Sequence, residues 1–431
     1  MTVSARPSRR AIAHACATAV ALAVIAVPSA QAAPRATATT GGSLVLVGGG
    51  LKDDNAEVYE EIVKRAGGPG ARIGVLTAAS VPESQDPDAG DPDRCSNSAC
   101  NGAYYSALFK KYGAADAQWI PIDLDHVGNA DSDAVVAQID SMTGFFFGGG
   151  DQYRYVTTLL HGGAHTDTKV LAAIRAKLAQ GAVVAGSSAG AQIASGPDMV
   201  TGGDSYRALK DGSTPGYFDD PARLGYLPEG GFGFLSSGLV DTHTGTEGRE
   251  GRALRLAADT GHDRVYALDE NTALVVDHPG TRREDVTVLG TNGVAVLDLR
   301  GARAREGRAG WSLRGARYTY LTDGDRYDSL HRQPLPASGK RALRPGSAAP
   351  VPANTDVFRS TADPAAPPYS FRTTARALAS TCAQTTATAT TYESGPRFQV
   401  TFAKRPGFSA WTSDGSTAQT LIGMGIDVAP Q

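Results

Sequence analysis

The chain has 431 residues with 41 basic and 44 acidic side chains and a formal charge of −3, so it lacks the basic footprint of a nucleic-acid binder. Its length suffices for one large α/β domain plus an accessory module. No segment beyond the first 32 residues is apolar for long enough to span a bilayer, so no membrane partner is expected once that segment is gone.

Residues 1–32 read as a signal peptide. Arg6, Arg9 and Arg10 form a basic start, Ala11 to Val27 is a short alanine-rich apolar run, and Ala30-Gln31-Ala32 fits an A-x-A cleavage site. A secreted, extracellular protein is therefore expected, with the export route left open by Ser8-Arg9-Arg10. Cleavage removes those three arginines and no acid, which takes the formal charge from −3 to −6. Residues 33–42 read as a flexible N-terminus.

From residue 43 to 332 the pattern is that of an α/β domain. Apolar runs at Leu44–Val47, Ile73–Leu76, Trp119–Ile122, Phe145–Phe147 and Val183–Ala185 alternate with helical patterns at 54–66, 103–112 and 132–139. This alternation predicts a mostly parallel, doubly wound sheet of the flavodoxin-like type, with ligands outside the carboxyl ends of its strands. Strand patterns at 265–268, 273–276, 286–289, 294–299 and 318–321 read as a meander closing the domain. Residues 333–372 are rich in Pro, Ala, Ser and Arg and read as a linker or irregular segment. Residues 373–431 read as a small β-rich C-terminal module.

Three cysteines remain after cleavage. The C-x4-C spacing of Cys95 and Cys100 in a polar loop predicts a local disulfide, leaving Cys382 over; a bridge from Cys382 to either of the others is the alternative. The spacing does not fit a zinc site, and no metal or cofactor is expected.

The chemistry concentrates at Ala185-Gly186-Ser187-Ser188-Ala189-Gly190-Ala191, where an apolar strand runs into G-x-S-x-G and then into a helix start. Such a turn lifts the serine hydroxyl above the sheet, leaves no room for a Cβ on either side, and aims backbone N–H groups at whatever the hydroxyl attacks. Ser188 is the candidate nucleophile. A base should lie near a strand end, and His243 follows the apolar step Leu239-Val240-Asp241-Thr242; His278, His161 and His165 sit in turn or helix-end contexts. Asp204, after Gly202-Gly203, is the candidate orienting acid, against the simpler role of a turn residue. Phe147-Gly148-Gly149-Gly150-Asp151-Gln152 supplies a second tight turn whose N–H groups, with that of Ala189, are candidates for an oxyanion hole. Gln152 is placed to hold a substrate amide or carboxylate.

Taken together, these segments resemble the cyanophycinase and dipeptidase E branch of the serine peptidases, which share the class I glutamine-amidotransferase-like fold. The resemblance runs from Leu44-Val45-Leu46-Val47-Gly48-Gly49-Gly50 through the 148–152 and 185–191 turns to Asp241-Thr242-His243, and on to Ala267-Leu268-Asp269-Glu270-Asn271-Thr272-Ala273. It implies Ser188 as nucleophile, His243 as base, backbone donors near Gly149 and Ala189, an acid after a glycine pair (Asp204), and Gln152 and Asp241 in the substrate pocket. In cyanophycinases a Gln precedes the His and several Arg follow; here Thr242 takes the Gln position, and Arg249 and Arg252 lie in altered register.

These arginines are candidates to grip a substrate carboxylate bidentately, and Asp241 to pair with a substrate guanidinium. The implied activity is hydrolysis of cyanophycin to β-Asp-Arg dipeptides through an acyl-enzyme, with a peptide or polymer as the partner. A peptidase for other acidic or isoaspartyl peptides is the near alternative, and a binding protein that has lost turnover the distant one. Oligomeric state is open, with a homodimer as candidate.

Overall fold

In a computed structural model the described residues are 41–216, 222–363, 365–415 and 417–431. The expected signal peptide lies outside them. A nine-stranded sheet runs in the order Gln333–Leu335, Arg326–Asp328, Asp285–Gly290, Thr272–Asp277, Ser43–Val47, Val183–Ser187, Gly144–Phe147, Arg72–Leu76, Asp116–Trp119. The last five are mutually parallel, and the first four extend the sheet antiparallel from Ser43–Val47. The molecule is thus the expected α/β protein with a parallel core.

The central strands are buried on both faces, as continuous apolar runs require. Every residue of Ser43–Val47, Gly144–Phe147 and Val183–Ser187 is buried. The helix that feeds the nucleophile strand, Lys169–Ala179, is capped by the Thr168 side chain and lays Val170, Ile174 and Leu178 on the sheet. It stops where Gly181 adopts φ +113°, a conformation open to glycine.

The strands after residue 264 do not form one meander. Arg264–Leu268 belongs to a second sheet, Thr272–Asp277 and Asp285–Gly290 cross to the first, and Gly293–Asp298 and Gly310–Thr322 return to the second. Local alternation reports that a segment is a strand, but only packing decides which sheet receives it.

The C-terminal residues form the expected β-rich region, and its strands join the second sheet. Thr420–Pro430 pairs with Gly310–Thr322 on one side and Phe398–Ala403 on the other, in the middle of the second sheet. One buried cluster joins Leu254, Leu297 and Tyr318 to Phe371, Phe402 and Ile426, and the described residues fall in one compact unit. The 333–372 segment, expected as a linker or irregular segment, carries two short strands, Gln333–Leu335 and Arg341–Ala342, and leads into a helix, Ser370–Ser380.

Cys95 and Cys100 form a disulfide at the start of the Ser98–Lys111 helix, and Cys382 is free and exposed. Among the described residues no helix is long and apolar enough to cross a membrane, and no cluster of His, Cys, Asp and Glu is arranged to hold a metal ion.

Ending the chain after residue 408 deletes a strand bonded on both sides and opens the second hydrophobic cluster. The expected outcome is loss of the cooperative thermal transition, followed by circular dichroism. Cooperative melting near the full-length temperature would show that the segment is dispensable.

Candidate active site

Three loops meet at the carboxyl end of Val183–Ser187. Ser188 leaves this strand at φ +55° and ψ −117°, a sparsely populated conformation for a residue with a side chain, and the chain turns at once into Ala189–Gln192. The flanking glycines are sterically required. A Cβ on Gly186 would fall 2.1 Å from the Gly190 carbonyl oxygen, and one on Gly190 would fall 2.0 Å from that of Phe147.

His243 follows the Leu239–Asp241 strand of the second sheet at φ +54°. Its Nε2 lies 2.7 Å from Ser188 Oγ, and its Nδ1 lies 2.6 Å from Glu270 Oε1. Glu270 sits in the short turn that carries the chain from Arg264–Leu268 in the second sheet to Thr272–Asp277 in the first. Serine, histidine and carboxylate therefore form a continuous hydrogen-bonded line, the arrangement in which an imidazole can take a hydroxyl proton while a carboxylate fixes its tautomer.

The carboxylate against His243 is that of Glu270, where the sequence reading expected Asp204. Asp204 is the N-cap of the Ser205–Asp211 helix and accepts the Arg207 N–H at 2.8 Å, the turn role that was its alternative. Glu270 was within the Asp269-Glu270-Asn271-Thr272 stretch quoted for the resemblance. A carboxylate in a tight turn between two strands was the available signal.

Gly149 lies against the nucleophile, since a Cβ there would sit 3.3 Å from that of Ser188; Ala189 follows Ser188 directly, fully buried. Gln152 lines the cleft but commits its Nε2 to the Val200 carbonyl at 2.8 Å. The cleft, of about 890 Å³, is lined by Ser188, His243, Arg249, Asp356, Phe358 and Arg359 among others.

Asp241 and Arg252 satisfy each other. Arg252 Nε and Nη2 lie 2.9 and 2.5 Å from the two Asp241 oxygens, and its Nη1 reaches the Gly203 carbonyl at 2.9 Å. Asp241 also accepts from Thr242 N and Gln192 Nε2. Both side chains are buried. Burial pushes the Asp241 carboxyl up, but the Arg252 guanidinium outweighs it and the pKa ends below the usual carboxylate range. The expected role of Asp241 on a substrate guanidinium does not fit this geometry, because its oxygens are taken by Arg252, Thr242 and Gln192 and it does not line the cleft; Arg252 does line the cleft, with its Nε, Nη1 and Nη2 each engaged by Asp241 or Gly203.

Arg249 does line the cleft, donating to the Thr242 carbonyl and pairing with Glu247. Burial, then the neighbouring Arg252, lowers its pKa to about 10. Thr242 is fully buried and does not line the cleft. At the start of the Glu250–Thr260 helix, Glu250 is buried with Oε2 unpartnered among the described residues, and burial pushes its pKa up to about 8.

Residues 98–283, which contain Ser188, His243 and Glu270, match the model of peptidase family S51. Over that stretch the chain is similar to the family, and it is a serine-type peptidase. Its relatives include the cyanophycinase of Nostoc sp., 29% identical over 314 residues, covering 70% of this chain and 90% of the relative. The cyanophycinase of Synechococcus elongatus is 26% identical over 299 residues, covering 66% and 79%. Among solved structures, a peptidase from an acI-B1 Actinobacterium overlaps with a TM-score of 0.44 at 19% identity, over 68% of this chain and 98% of that one.

Two outcomes are expected of this site. Asp241→Ala strands the Arg252 charge in the interior and should cost about 3–5 kcal/mol, read as a lower urea midpoint with little change in slope. An unchanged midpoint would mean that the pair is replaceable by water. Glu250 holds its proton to a higher pH in the folded protein than in the unfolded chain, so folding stability from this group falls as pH rises from about 4.5 through about 8. Glu250→Gln should match the wild-type melting temperature near pH 5 and exceed it near pH 9. A constant difference across that range would contradict the assignment.

Proposed function

We propose that this chain is an exported serine peptidase of cyanophycinase type that releases β-Asp-Arg dipeptides from cyanophycin through an acyl-enzyme. The observation that carries the reading is the Ser188–His243–Glu270 line, with the serine held at positive φ on a glycine-flanked turn. A module that only binds has no use for a strained serine aligned on an imidazole.

The steps follow from the geometry. Ser188 Oγ attacks the scissile carbonyl carbon while its proton passes to His243 Nε2, and Glu270 stabilises the imidazolium from the Nδ1 side. The oxyanion falls to the backbone N–H groups of Gly149 and Ala189. His243 then gives the proton to the leaving nitrogen as the C–N bond breaks, and water hydrolyses the ester by the same route in reverse.

For substrate, the relatives named cyanophycinase support the polymer. The cleft supports it too, because it offers both signs of charge: Arg249 and Arg359 for a carboxylate, and Asp356, Asp363 and Glu393 for a guanidinium. An acidic peptide would meet like charge along that second group. Export is supported by the basic–apolar–A-x-A start and by the Cys95–Cys100 bridge, which suits an oxidising compartment.

Ser188→Ala should lower turnover of cyanophycin by about 10^4-fold or more, and His243→Ala by a similar amount, with the double variant little worse because the two act as a unit. Glu270→Gln should cost about 10^2- to 10^4-fold, and Asp204→Asn should not reproduce that loss. Dipeptide release from suspended polymer, followed by chromatography, measures this. Equal efficiency on an α-linked neutral peptide would overturn the substrate, and near-full activity of Ser188→Ala would overturn the mechanism.

A further inference from the structure

The helix Ser370–Ser380 lies outside the segment that matches the family, yet its first turn touches the loops of both the base and the acid. Tyr369, its N-cap at φ +61°, donates its N–H to the Gly245 carbonyl at 2.5 Å, two residues past His243. A Cβ on residue 245 would fall 2.2 Å from the Tyr369 ring, so glycine is what admits the ring at this spot. The Tyr369 hydroxyl lies 3.2 Å from both Thr246 Oγ1 and Asn292 Nδ2, and Asn292 Nδ2 also reaches the Glu270 carbonyl at 3.0 Å.

Arg372 completes the circuit. Its Cζ stands 3.9 Å from the centre of the Tyr369 ring, and its Nη1 donates to Asp269 Oδ2 at 3.1 Å and to the Tyr320 hydroxyl at 2.5 Å. Asp269, the residue before Glu270, accepts the Gly245 N–H on its other oxygen at 2.8 Å. Hydrogen bonds and one ring stack therefore run from the base loop through Tyr369, Asn292 and Arg372 to Asp269 and to the Glu270 carbonyl.

We infer that Tyr369 and Arg372 are positioning residues that set the His243–Glu270 contact, which makes the C-terminal helix a working part of the active site. The inference rests on the triad reading above. Its physical ground is that base and acid stand on separate loops. A contact of 2.6 Å between two such loops holds only if something fixes one loop against the other, and displacement of a catalytic group by about 1 Å can cost on the order of 10^2-fold in rate. The Asp269–Arg372 pair, with the carboxylate buried and the guanidinium stacked on an aromatic ring, is stiff in a way that a single turn is not.

The test is the second-order rate of phosphonylation by diisopropyl fluorophosphate, with the labelled fraction read by intact mass. In that reaction the Ser188 Oγ–P bond forms, the P–F bond breaks, fluoride leaves and the serine proton passes to His243. Arg372→Ala should label completely but about 10- to 100-fold more slowly, Tyr369→Phe should be slowed to a lesser degree, and Arg372→Lys should recover part of the rate. Leu378→Ala, on the buried face of the same helix, should lower the melting temperature and leave the rate of the folded fraction unchanged.

A purely structural role gives the opposite pattern, with Arg372→Ala and Tyr369→Phe labelling at the wild-type rate over a reduced or unchanged fraction; that result overturns the inference. If Arg372→Ala does not fold, Tyr369→Phe decides alone, since it deletes one hydroxyl. A wild-type protein that takes no label removes the serine nucleophile itself, and the inference with it.

Discussion

Three backbone N–H groups end on three consecutive carbonyls: Ser188 on Val47 at 3.0 Å, His243 on Gly48 at 2.7 Å, and Asn271 on Gly49 at 2.8 Å. The loop that leaves the first strand thus holds the nucleophile, the base and the turn of the acid at once. No side chain is involved. The approach is possible because residues 48 and 49 lack a Cβ; one on Gly49, at φ +94°, would fall 2.2 Å from the His243 ring, and one on Gly48 would fall 2.2 Å from the Asp269 carbonyl oxygen.

Strand register brings those groups within reach. Val47 lies opposite Ser187 on one side and Ala273 on the other, so the serine turn and the acid turn leave the first sheet at one level. In the second sheet Asp241 lies opposite Ala267 in a parallel pair, so His243 and Glu270, a few residues beyond, emerge side by side. The site is built at the junction of the two sheets. Positive φ at Ser188, His243 and Asn271 is the local cost of these exits, and the carbonyl ladder together with the fully buried strands behind it offsets that cost.

Charge inside the protein is organised around the same junction. Asp241–Arg252 ties the base's strand to the Glu250–Thr260 helix, and Asp269–Arg372 ties the acid's turn to the C-terminal helix. Buried pairs of this kind contribute little net stability compared with apolar packing, but removing one member is expensive. They therefore specify which loop sits where, a different task from holding the core together. The C-terminal strands and helix take part in both, since their apolar faces enter the second cluster while Tyr369 and Arg372 reach the site.

The sequence by itself determined the features that depend on neighbours in the chain. The parallel core could be read from apolar runs between helical patterns, the serine turn from glycines that sterics demands, and the Cys95–Cys100 bridge from spacing in a polar loop. What only the tertiary structure decided depends on partners far along the chain. Asp204 and Glu270 are both carboxylates in turns, and although the Glu270 turn stands between two strand patterns, only strand pairing puts Glu270 on His243 and leaves Asp204 to cap a helix. Asp241 and Arg252 look available in the sequence because their hydrogen-bonding capacity is visible there, whereas their pairing in the interior is not. The C-terminal residues read as an appendage because a strand pattern carries no address, and their place beside Gly310–Thr322 comes from long-range pairing that no window of sequence contains.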